Sequence, residues 1–82
     1  MDSILLVEDK DELREMLTHA LKRMGYAVTP TAQLADALKA LEREHFSAVL
    51  TDLKLPSGTG MDVLRAALEA DSATPVVVMT AY

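Results

Sequence analysis

Four side chains in this sequence could act together chemically, and they stand at the ends of apolar runs. Glu8 and Asp9 follow Ile4-Leu5-Leu6-Val7, Asp52 follows Ser47-Ala48-Val49-Leu50-Thr51, and Thr80 closes Val76-Val77-Val78-Met79. If the first two runs lie side by side, three carboxylates meet in one small pocket. Like charges at that range raise one another's pKa unless a cation relieves them. Such oxygen donors suit Mg2+, a hard ion that keeps several of its waters. A carboxylate beside Mg2+ can attack a phosphoryl group, with the metal neutralising charge on the transferred oxygens. Each residue also has a plainer reading: Asp9 as a helix N-cap, Asp52 as the opening of a turn, Thr80 as a buried hydroxyl. Their joint occurrence at three strand ends favours a site.

The elements that must position these residues are legible in the spacing. The run from Ile4 to Val7 has strand length, and Leu13, Leu17, Ala20, Leu21 and Met24 then recur at helical intervals among charged residues. Gly25 falls where a helix C′ residue belongs. Tyr26 to Thr29 is a short strand, and Leu34, Ala37, Leu38 and Leu41 mark a second helix that starts near Thr31 or Gln33. Ser47 to Thr51 is the third strand, with Asp52 at its end. A loop rich in breakers, Leu55 to Gly60, precedes a third helix carrying Met61, Leu64, Ala67 and Leu68. After Thr74-Pro75, Val76 to Thr80 is the fourth strand. The order is β-α-β-α-β-α-β. Apolar strands separated by amphipathic helices predict a parallel sheet covered on both faces. Ligands of such sheets bind outside the carboxyl ends of the strands, where Glu8, Asp9, Asp52 and Thr80 stand.

The 82 residues suffice for one small domain. Its core must be aliphatic, because Tyr26, Phe46 and Tyr82 are the only aromatic residues. A net charge of −5 argues against direct nucleic-acid binding by this segment, which would need cationic neutralisation of phosphates. There is no cysteine, so disulfides and thiolate metal sites are excluded. No apolar run approaches the roughly 18–20 residues that span a bilayer, and the N-terminus lacks the basic region of a signal peptide. A cytoplasmic protein without membrane attachment is expected. Gly58-Thr59-Gly60 hints at a dinucleotide loop, but Val63 occupies the third glycine position, which favours a turn opening the third helix. His19 and His45 have no partner at metal-ligand spacing and are expected on the surface or rim.

Three segments carry a resemblance to a known family: Ile4 to Asp9, Val49 to Gly60 with its D-x-x-x-P-x-x-x-G spacing at Asp52, Pro56 and Gly60, and Pro75 to Tyr82. Together they resemble the receiver domain of two-component response regulators, a flavodoxin-like α/β fold. The Met79-Thr80-Ala81-Tyr82 ending looks most like receivers attached to σ54-dependent transcription activators. The resemblance implies that Asp52 accepts a phosphoryl group from a histidine kinase. It implies that Asp9, aided by Glu8, holds Mg2+ together with Asp52 and the main-chain carbonyl of Lys54. Thr80 would contact a phosphoryl oxygen and act as the switch, and small Ala81 would leave that group accessible. Lys54 and Tyr82 would flank the site and tune the lifetime of the phosphoryl group. Lys10 also flanks it, and its charge either perturbs metal affinity or is solvated.

The resemblance further implies a final helix, strand and helix, with a pocket-completing lysine on strand five. The chain is therefore expected to be a receiver domain over residues 1–82, incomplete at its C-terminus. Its fourth strand would then be an exposed parallel edge, and self-association through that edge is expected. The rival readings are a non-switching interaction fragment and, more remotely, a metal-dependent phosphatase. Lys54 stands where such a phosphatase sets its second acid.

Overall fold

Ser3–Val7 forms the first strand, β1, in the computed structural model, which describes residues 2–80. Leu5, Leu6 and Val7 are wholly enclosed, as a strand covered on both faces requires. The remaining elements are α1 (Asp11–Arg23), β2 (Ala27–Thr31), α2 (Leu34–Arg43), β3 (Ala48–Asp52), β4 (Lys54–Leu55), β5 (Gly58–Thr59), α3 (Gly60–Ala70) and β6 (Val76–Met79). The main sheet is parallel, in the order β2-β1-β3-β6. The first and third expected strands are neighbours, as the clustering of carboxylates requires.

Alternation along the strands sorts two layers of side chains. Leu5, Val7 and Val49 join Ala37, Phe46, Leu55, Val63 and Ala67 in one core beneath α2 and α3. The other face carries Ile4, Leu6 and Leu50, and α1 packs over its β1–β2 half. Beyond α1, an apolar groove of about 380 Å³ is lined by Ile4, Leu21, Met24, Leu50 and Val77 among others. Val77 and Met24 are 56% and 69% exposed, so this half of the face is bare among the described residues.

Besides one-residue shifts at the ends of β1, β2 and β3, three features differ from the sequence reading. β2 runs on through Pro30 to Thr31, because it is an edge strand and an edge tolerates a residue without an N–H. The segment from Lys54 to Thr59, expected as a plain loop, closes into a two-residue antiparallel hairpin. β6 stops at Met79, which leaves Thr80 just beyond the strand. Gly25 does take the left-handed conformation at the end of α1, with φ of 97°.

Candidate functional site

The strand order reverses between β1 and β3, so a crevice opens at their carboxyl ends. β1 delivers Glu8 and Asp9 there, and β3 delivers Asp52. Val7 pairs with Thr51, so the residues that follow them emerge side by side. One carboxylate oxygen from each of Glu8, Asp9 and Asp52 lies within 4.8 Å of the others. Glu8 and Asp52 are buried, at 1% and 4% exposure, and Asp9 is half-buried.

Hydrogen bonds explain how this turn is built. The Glu8 N–H donates to the carbonyl of Thr31 at 2.9 Å, fastening the end of β1 to β2. Glu8 Oε2 accepts the main-chain N–H of Lys10 at 2.9 Å, which turns the carboxylate back over the start of α1. Lys10 is the N-cap of α1 and gives no side-chain cap; its side chain is exposed, while its amide supports the cluster. Asp9 therefore precedes the cap instead of being it. One turn into α1, Arg14 donates to the carbonyls of Glu8 at 2.9 Å and Asp9 at 3.4 Å.

Asp52 is fixed mainly through its backbone. The Leu53 N–H donates to Met79 at 2.9 Å, and the Gly60 N–H donates to the carbonyl of Leu53 at 2.7 Å. Thr59 starts α3 with a capping box: its hydroxyl accepts the Met61 N–H, and Asp62 accepts the Thr59 N–H. The aspartate side chain itself is less well served. Asp52 Oδ1 is buried and has no hydrogen-bond partner among the described residues. A buried carboxylate oxygen in that condition is costly unless a cation or donor meets it.

Electrostatics agree with crowding. Burial pushes the Glu8 carboxyl above the ordinary glutamate range, and the neighbouring Asp52 and Asp9 push in the same direction against the Lys10 N–H. The donors are all oxygens, they converge, and one of them is buried without a partner. They fit a hard divalent cation such as Mg2+.

The other expected site residues fall as follows. Thr80 is exposed and follows Met79, the register partner of Asp52, so it stands at the same end of the sheet. Lys54 opens the β4–β5 hairpin two residues past Asp52, with its side chain exposed. Ala81 and Tyr82 lie outside the described residues. His19 and His45 are exposed, and the ring of His45 lies 3.5 Å from Asp71 at the opposite end of the helices. The Gly58-Thr59 pair is part of the hairpin and not a dinucleotide loop.

The family pattern of the response regulator receiver domain matches residues 4–82. This chain belongs to that family. It is 37% identical over 82 residues to the response regulator receiver protein CpdR of Brucella abortus, covering all of this chain and 68% of that protein. It is 36% identical over 78 residues to the response regulator protein PilR of Pseudomonas aeruginosa, covering 95% of this chain but 18% of that one. Among solved structures, the response regulator TrrA of Thermotoga maritima in complex with Mg2+-BeF superimposes with a TM-score of 0.92. That similarity has 27% identity and covers all of this chain and 71% of TrrA. TrrA has also been solved in complex with the histidine kinase ThkA, with a TM-score of 0.89 to this chain. The receiver family and the flavodoxin-like fold expected from the sequence are both borne out. Arg14, which the sequence reading passed over, also belongs to the site's support, and Gly60 of the D-x-x-x-P-x-x-x-G pattern proves to be a backbone neighbour of Asp52.

Proposed function

We propose that this chain is the phosphoacceptor module of a two-component pathway, with Asp52 taking a phosphoryl group from the phosphohistidine of a histidine kinase. The observation that carries this reading is the buried Asp52 carboxylate, whose Oδ1 has no partner among the described residues and which shares its pocket with Glu8 and Asp9. One Asp52 oxygen attacks phosphorus, the P–N bond breaks, and the imidazole nitrogen leaves with its electron pair. An acyl phosphate on Asp52 results. Mg2+, when bound, supplies neutralisation of charge on the transferred oxygens. Glu8, Asp9, Asp52 and the Lys54 carbonyl are the groups assigned to hold it. Thr80, beside Asp52 at the sheet end, is assigned to a phosphoryl oxygen as the switch, with Ala81, Lys10, Lys54 and Tyr82 flanking the site.

The chain's part is to accept and report the phosphoryl group, as a signalling module and not a stand-alone enzyme. Membership of the receiver family supports a histidine kinase as its direct partner, and the net charge of −5 argues against nucleic acid in that role for this segment. No helix among the described residues is long and apolar enough to cross a membrane, and a cytoplasmic setting is part of the proposal. The bare apolar half-face around Val77 supports self-association as a second property of these 82 residues.

The test is incubation with Mg2+ and acetyl phosphate followed by intact-mass spectrometry. One added phosphoryl mass is expected, absent when Mg2+ is chelated before the donor is added and absent in Asp52→Asn. No added mass on a chain shown to be folded would replace this reading with that of a non-switching interaction fragment.

A further inference from the structure

Arg14 makes more contact with the acidic turn than a surface arginine needs to. Its side chain is only 23% exposed. One guanidinium nitrogen donates to the carbonyls of Glu8 and Asp9, at 2.9 and 3.4 Å, and the other donates to Asp11 Oδ1 at 2.6 Å. Long side chains in a helix lean towards its N-terminus, so a residue in the first turns reaches back over the preceding loop. Residue 14 is placed for that reach.

Besides Arg14, the turn it touches is held by the Glu8 N–H on the Thr31 carbonyl and the Lys10 N–H on Glu8 Oε2, neither of which engages the two carbonyls that Arg14 reaches. Lys10 caps α1 without a side-chain hydrogen bond, and no residue from 8 to 10 is glycine or has positive φ. The three carboxylates repel one another, which favours splaying of this turn. We propose that Arg14 is a positioning residue for the acidic pocket, clamping the carbonyls of Glu8 and Asp9 so that both carboxylates stay turned towards Asp52. This inference rests on the Mg2+ reading of that pocket.

The proposal has a sign that charge alone would reverse. Removing a cation near the pocket should tighten Mg2+ binding by simple Coulomb attraction. Loss of a clamp should weaken it, as loss of groups that orient metal ligands does, by about 10-fold. Lysine keeps the charge but lacks the fork that spans two carbonyls and a carboxylate, so it should restore binding only in part.

The experiment is calorimetric titration of Mg2+ into wild type, Arg14→Ala and Arg14→Lys, with hydrogen exchange of the Lys10 amide followed in the metal-free proteins. About 10-fold weaker binding in R14A is expected, with R14K in between and faster Lys10 exchange in R14A. Binding that is unchanged or tighter in R14A overturns the proposal. Should R14A fail to fold, R14K binding as tightly as wild type overturns it instead. If wild type itself binds no Mg2+, the metal reading falls, and Lys10 exchange alone decides whether Arg14 holds the turn.

Discussion

Gly60 presses against the backbone of Asp52: a Cβ built on it would stand 2.5 Å from the Asp52 carbonyl oxygen and 3.1 Å from Leu53 Cα. The atoms it would meet are main chain, held by the Leu53–Met79 and Gly60–Leu53 hydrogen bonds, and cannot swing aside as a side chain would. The glycine in D-x-x-x-P-x-x-x-G is thus a requirement of close approach, set directly behind the residue assigned as phosphoacceptor.

Gly60→Ala is therefore expected to cost about 1–3 kcal/mol, the usual scale of overpacking, and to displace Asp52. Chemical denaturation checks the first part. Slower labelling by acetyl phosphate, measured where the variant is still folded, checks the second. Gly58→Ala provides the contrast: its nearest neighbour is the flexible end of Leu34, and its effect on labelling should be smaller.

Asp52→Asn should stabilise the metal-free protein, by about 1–2 kcal/mol, since it replaces a buried carboxylate with a neutral group of the same size. The same change should lower the Glu8 pKa only in part, because burial, the leading cause of its elevation, is unaffected. Mg2+ should raise the stability of wild type and leave D52N almost unmoved, as binding to the folded state alone requires. Denaturation with and without Mg2+, together with NMR titration of Glu8, measures all three. Equal stabilisation of both proteins by Mg2+ would remove Asp52 from the metal site.

The bare half-face beside α1 leads to a prediction about solution behaviour. Val77 lies at the centre of the edge strand β6, and Met24 and Leu21 border the same groove. An exposed apolar edge pairs readily with another chain, and a charge placed on it prevents that. Sedimentation velocity should show association that grows with concentration for these 82 residues and is abolished by Val77→Lys. A wild-type monomer throughout the micromolar range would contradict it.

Most of this architecture was legible because β1, β3 and β6 are built on apolar runs and the helices are amphipathic. Those two periods fix element type, and strand-end acids then fix which end of the sheet carries the site. The features that escaped depend on three-dimensional neighbours. The strand expected at Tyr26 to Thr29 continues through Pro30, because an edge strand has a free side on which a missing N–H costs nothing. Lys54 to Thr59 contains no alternation long enough to betray a hairpin. Arg14 occupied an ordinary polar helical position, and only its distance of five residues beyond Asp9 could have signalled a reach back to the turn. The choice between cap and ligand for Asp9 depended on whether the helix began at residue 10 or 11, a boundary that spacing does not resolve.

The pH dependence of stability should have a maximum near the ordinary carboxylate range, because two acids pull in opposite directions. Glu8 is raised in the folded state, first by burial and then by Asp52 and Asp9. The fold therefore binds that proton more tightly than the unfolded chain, and its stabilising effect is full below the unfolded value. It is lost as pH rises through the elevated folded value. Asp62 is lowered, first by the Thr59 N–H and then by Arg65. Its contribution is full above the unfolded aspartate value and is lost as pH falls through the depressed one. Metal-free protein should thus weaken on both sides of the maximum in urea denaturation. Asp62→Asn should flatten the acid side, and Glu8→Gln the alkaline side. Saturating Mg2+ favours ionised Glu8, so it should reverse the alkaline decline in wild type, whereas E8Q lacks that decline from the start. A decline that Mg2+ leaves unchanged would mean that Glu8 is crowded by its neighbours without contributing to a metal site.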